Sequence, residues 1–132
     1  MNLIRTISLR QALLADAVVS GATGLLLALG GGFLAGFLGL PEALLRYAGA
    51  ILLPYAAMVA VIGTRRTIRP AAAWAVIVIN ALWALDSIIL LLSGWVTPNA
   101  LGYGFVIAQA VVVALFAEIQ LISLRRSPSH VA

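Results

Sequence analysis

The chain has 132 residues, of which 64% are hydrophobic and 9% charged, with a mean hydropathy of +1.14. A soluble domain carries about 25% charged residues, so this composition excludes a water-facing surface and assigns most of the exterior to lipid. The net charge of +4 comes from arginine alone, in short clusters between apolar runs, a pattern that sets membrane orientation and not nucleic-acid contact.

A spanning helix needs about 20 apolar residues, and the first candidate runs from Gln11 to Leu29. Arg5, Arg10 and Asp16 make its start too polar for a signal peptide, and Ala15–Ala17 precedes the apolar run, so no cleavage is expected. Gly30-Gly31-Gly32 is expected to end this span, with residues 33–38 as a short turn at the outer interface. The alternative is one long tilted helix reaching Leu38. The second span runs over 42–63, opened by Pro41 and Glu42 and kinked at Pro54. Arg65, Arg66 and Arg69 follow it as a basic loop.

The stretch from Pro70 to Leu124 carries no charge except Asp86 and Glu118. It is too long for one span and suits a hairpin. Its turn lies at Ser93–Asn99, giving spans over 71–92 and 100–124. The predicted fold is all-α: one polytopic four-helix transmembrane domain over residues 1–132. Pro41-Glu42-Ala43-Leu44 and Pro98-Asn99-Ala100-Leu101 open the second and fourth spans alike, and Arg65-Arg66 and Arg125-Arg126 close them, as in a tandem hairpin repeat.

Seven of the eight arginines fall on one side and only Arg46 near the other, which predicts both termini cytoplasmic. Tyr47, Trp95 and Tyr103 fall at the outer interface and Trp74 at the inner one. Ala17-x-x-x-Gly21, Ser20-x-x-x-Gly24, Gly32-x-x-x-Gly36, Ala56-x-x-x-Ala60 and Ala110-x-x-x-Ala114 suit close helix packing.

Function classes narrow by what is missing. With no Cys there is no disulfide, thiolate nucleophile or iron–sulfur ligand. The only His, His130, lies in the tail after Arg126, so neither a metal nor a haem site is expected within one chain. No lysine is present for a Schiff base. The reading is non-enzymatic, with no catalytic residue, metal or cofactor.

Ionisable and polar residues inside the spans are costly and mark candidate sites. Arg46 and Asp86 lie within about one turn of each other in depth, which predicts an ion pair between the second and third helices. Glu42 competes for the same guanidinium, and the other reading of Asp86 is an acidic site open to the outside. Asn80, Trp83, Asp86 and Ser87 share one face of the third helix. An Asn80–Gln109 hydrogen bond is expected to tie helices three and four, unless the same residues line a polar cavity. Asp16, Ser20 and Thr23 form a stripe on helix one. Glu118 faces away from Gln109 and shares its face with Arg125. Asp16 and Glu118 are expected to meet the inner arginine rim; the alternative is a proton-titrating carboxylate, as in coupled pumps. Asp16, Ser20, Arg46, Asn80, Trp83, Asp86, Gln109 and Glu118 are the candidates for a ligand or ion pathway.

Gly39-Leu40-Pro41, Asn80-Ala81-Leu82-Trp83, and Gln109 with Phe116-Ala117-Glu118 resemble a group of small four-span bacterial inner-membrane proteins without an assigned activity. The resemblance covers the whole chain and implies the topology and a bacterial plasma-membrane location. Small multidrug exporters are similar in size, span count and an early acidic residue, here Asp16. The strong arginine bias and the absence of their other motifs set this chain apart from them. The expected role is a membrane module that packs on a partner, in a homo-oligomer or larger membrane complex, or that holds a lipid-like ligand between its helices. The competing role is a small oligomeric proton-coupled transporter or channel.

Overall fold

The computed structural model describes residues 7–126, which form four helices: α1 (Leu9–Leu38), α2 (Glu42–Thr64), α3 (Pro70–Ser93) and α4 (Ala100–Arg126). All four are long and apolar enough to cross a membrane. Large apolar side chains are exposed around the bundle, among them Val18, Leu29, Phe33 and Leu92. On a water-soluble monomer such a continuous apolar exterior would be an aggregation surface; against lipid tails it is the required one.

Each helix end has a local cause. α1 starts at Leu9 because Ser8 and Gln11 form a capping box: the Gln11 backbone N–H donates to Ser8 Oγ at 3.0 Å, and the Ser8 N–H donates to Gln11 Oε1 at 3.0 Å. Gly39 (φ 70°) and Gly94 (φ 80°) terminate α1 and α3 in the left-handed region. Asn99 Oδ1 accepts from the Gly102 N–H at 2.9 Å and so caps α4. Its amide also donates to the Phe37 carbonyl at 3.0 Å, which ties the α3–α4 connection to the last turn of α1.

The triple glycine does not end the first span. α1 continues through Gly30-Gly31-Gly32 and absorbs residues 33–38, so the predicted interfacial turn is part of one long helix. At about 1.5 Å per residue α1 is about 45 Å long, more than a hydrocarbon core of about 30 Å, which tilt accommodates. The glycines serve packing. A Cβ on Gly31 would lie 2.8 Å from Arg46 Cγ, and one on Gly32 3.3 Å from an Arg46 terminal nitrogen. The bare backbone is the groove in which the Arg46 side chain lies. α2 likewise runs through Pro54 without interruption.

α1 packs along α2 and α3 along α4; α1 and α4 join these hairpins, while α2 and α3 scarcely approach. The α1–α2 seam uses the small residues seen in the sequence. A Cβ on Gly21 would meet Ala56 Cβ at 3.6 Å, and one on Gly49 would meet the Gly24 carbonyl oxygen at 2.6 Å. Gly36, by contrast, faces open space. Two buried apolar clusters result. One, around Leu9, Leu13, Val59, Val76 and Leu124, lies toward the arginine-rich end; the other, around Leu27, Leu45, Leu52, Val96 and Val106, lies toward the opposite end.

Candidate functional site

The apolar interior is interrupted by a carboxylate. Asp16 is 1% exposed and accepts four hydrogen bonds. Ser20 Oγ donates to Oδ1 at 2.8 Å; Tyr55 Oη, Asn80 Nδ2 and Gln120 Nε2 donate to Oδ2 at 2.9, 2.8 and 2.9 Å. Asn80 Nδ2 also approaches Gln120 Oε1 at 3.1 Å, and Tyr55 Oη lies 2.8 Å from Asn80 Oδ1. One side chain from each of α2, α3 and α4 therefore converges on one carboxyl group of α1. Tyr55 packs against both apolar clusters, so this polar layer sits where they meet.

This corrects two expectations. Asp16 does not meet the arginine rim: its partners are neutral donors throughout. Arg10 turns the other way and donates to the carbonyls of Gly63, Arg65 and Arg66, closing the C-terminus of α2. Arg126 donates to the Ile7 carbonyl at 2.6 Å. Arg10 is thus engaged by carbonyls at the C-terminal end of α2, and Arg126 by the backbone just before α1. Asn80 does not bond Gln109 either; its amide goes to Asp16 and Gln120.

Gln109 instead belongs to a second polar group, nearer the Gly39–Pro41 end. Trp83 Nε1 donates to Gln109 Oε1 at 2.9 Å. Gln109 Nε2 donates to Ser87 Oγ at 2.8 Å and to the Val106 carbonyl at 2.9 Å. Ser87 Oγ donates to the Trp83 carbonyl at 2.8 Å. These contacts tie α3 to α4 and hold the Trp83 indole in one orientation.

That indole is a wall. Three adjoining cavities share Leu52 and Trp83 in their linings, two where α2 and α3 diverge and one between α1 and α4. One of about 290 Å³ lies toward the Gly39–Pro41 end, between Leu44, Leu45 and Ala48 of α2 and Asp86, Ser87 and Leu90 of α3. A second, of about 330 Å³, reaches the Asp16 layer through Ser20, Tyr55 and Asn80. A third, of about 230 Å³, lies against Thr23, Gln109 and Val113. Their volumes are at the lower edge of small-molecule pockets, and the linings are mainly apolar with few polar groups, the usual character of such sites.

The Arg46–Asp86 pair is not formed. Arg46 Nε donates to Glu42 Oε2 at 2.8 Å and Nη1 to the Ala28 carbonyl at 2.6 Å. The side chain thus lies on α1, drawn there by the glycine groove, with Glu42 one turn away on its own helix. Asp86 is exposed along the rim of the 290 Å³ cavity. Glu118 also fails to meet the rim. It is exposed on α4 and forms no ion pair among the described residues, while its predicted orientation, opposite the half-buried Gln109, holds.

Tyr55 and Gln120 are the site residues that sequence reasoning missed. Gln120 follows Gln109 after about three whole helical turns, so the two share a face of α4; that spacing was the available signal. Tyr55 gave a weaker one, a hydroxyl deep in a span where tyrosine more often sits at the membrane interface.

Fold and site together define a multi-pass helical membrane bundle with a carboxylate-centred polar layer and a lateral crevice. No protein-family profile, curated protein or solved structure matches this chain.

Proposed function

We propose that this protein is a non-enzymatic membrane module that holds an amphipathic, lipid-like ligand in the crevice between α2 and α3. The observation that carries this reading is the crevice itself: adjoining apolar cavities open where two neighbouring helices diverge, with the Trp83–Gln109–Ser87 group fixing one wall. The Asp16 layer supports it from below. A carboxylate with every hydrogen bond made, linking all four helices, keeps the bundle together although α2 and α3 lack close packing. The arginine bias supports a cytoplasmic position for the Arg65–Arg69 loop and both termini. On that orientation the cavity beside Asp86 lies in the outer half of a bacterial plasma membrane.

Native mass spectrometry of the protein released from lipid nanodiscs tests the proposal. Wild type should retain one small amphiphile per chain, and Ala48→Phe, which fills the cavity, should lose it. Retention by both, or by neither, contradicts the reading.

One observation favours a second reading, a proton-coupled transporter. Ser20, Tyr55 and Asn80 line the 330 Å³ cavity and each hydrogen-bonds Asp16, so the carboxyl group is one hydrogen bond from the crevice. Proteoliposomes with an entrapped pH dye separate the two. Proton flux that Asp16→Asn abolishes in a folded protein supports transport; absence of flux in wild type supports the ligand-holding module.

A further inference from the structure

The polar groups of the cavity beside Asp86 are unequally satisfied. Trp83 Nε1, the Gln109 amide and the Ser87 hydroxyl use their capacity on one another and on backbone carbonyls. Asp86, on the same cavity, makes no hydrogen bond or ion pair among the described residues. The fold has a cation at that end of the bundle, Arg46, and turns it away onto Glu42 and the Ala28 carbonyl of α1. The remaining described arginines belong to the opposite end. An apolar cavity is thus edged by a carboxylate whose counter-charge no described residue supplies, and a charge at that depth of a span is costly until it is neutralised.

We propose that Asp86 receives the ammonium head of a single-tailed organic cation whose apolar tail lies in the crevice against Leu45, Leu52 and Phe105. This rests on the ligand-holding reading above and specifies the charge of the ligand. Trp83, one helical turn from Asp86, lines the same cavity and offers an aromatic face to an alkylated ammonium. Anionic amphiphiles meet no free cation there among the described residues. The volume, at the lower limit for small-molecule pockets, suits one short tail and not a two-chain lipid.

The test uses full-length protein in phosphatidylcholine nanodiscs, with Trp74→Phe and Trp95→Phe so that Trp83 is the sole tryptophan. Decyltrimethylammonium, decyl sulfate and decyl maltoside are titrated in turn, and Trp83 emission is followed. The cation should bind saturably and more tightly than the other two. Asp86→Asn should weaken it about tenfold or more, the scale of one charge-assisted contact. Asp86→Glu should largely restore binding, and Glu118→Gln, which removes a carboxylate elsewhere, should leave it unchanged. Because Asp86 is exposed, its variants should fold, which thermal unfolding checks. Equal saturable binding of all three probes, or no effect of Asp86→Asn, overturns the cation proposal and leaves the ligand-holding reading standing. Saturable binding of none overturns both.

Discussion

Asp16 shows how an acidic side chain is kept inside a membrane bundle by neutral partners. Its oxygens are covered by a hydroxyl, a phenol and two amides, each from a different helical position. Asp16→Ala would leave the buried Gln120 amide without its acceptor, while Tyr55 and Asn80 keep Asn80 Oδ1 and Gln120 Oε1 as alternatives, at a cost of about 1–3 kcal/mol for the group left unsatisfied. We expect a loss of about 1–3 kcal/mol for the bundle, read from thermal unfolding in micelles. Asp16→Asn should cost less, because its amide nitrogen can take the Oδ1 place beside the Ser20 hydroxyl, which accepts as well as donates. Wild-type stability in both variants would contradict the described network. The Trp83–Gln109 contact should be worth less. A double-mutant cycle with Trp83→Phe and Gln109→Leu should give a coupling of about 0.6 kcal/mol and below about 1.7 kcal/mol, as for other intramembrane hydrogen bonds. At this scale the sequence was partly legible. The cost of burying Asp16 and Asn80 marked them as site residues, but depth counting could not rank their partners. Several polar residues lie at similar heights, and a side chain's direction depends on how the helices are rotated against one another. Helix rotation also decided Arg46, which depth alone paired with Asp86 over its competitor Glu42 and which the α1 groove turns to Glu42.

Among the elements, the four spans were legible because their length and apolarity follow from bilayer thickness. The end of α1 was not. Glycine is a poor helix former in water, yet inside lipid an unpaired backbone group costs more than the propensity penalty, which favours a continuous helix. The same glycines then serve packing. Gly31→Leu should displace Arg46 and destabilise the α1–α2 hairpin, and Arg46→Ala should recover much of that loss; additive losses in the cycle would contradict the groove. The Arg46–Asp86 cycle should be additive, whereas Glu42 and Arg46 should show coupling. The small-residue motifs divided in the same way: Gly21 and Gly24 lie in a helix seam and Gly36 faces open space, a distinction that spacing alone does not make.

For the whole molecule, two tight hairpins joined through α1 and α4 leave the α2–α3 side open, and that asymmetry is the basis of the functional reading. The arginine bias predicts that the α2–α3 loop and both termini share one compartment. With no native Cys, single cysteines at Ser127 and Asn99 should react with membrane-impermeant maleimide from opposite faces of the membrane, and labelling from one face alone would contradict four spans. The crevice itself was invisible in the sequence, since it depends on which pairs of helices pack. The most direct measurement is photolabelling in native membranes with a single-tailed alkylammonium diazirine, followed by peptide mapping. The account predicts labels concentrated on Leu45, Ala48, Trp83 and Leu90 that excess unlabelled amphiphile suppresses. Labels spread over outward-facing positions such as Leu29, Val111 and Leu115 in proportion to their exposure, and insensitive to competitor, would contradict it.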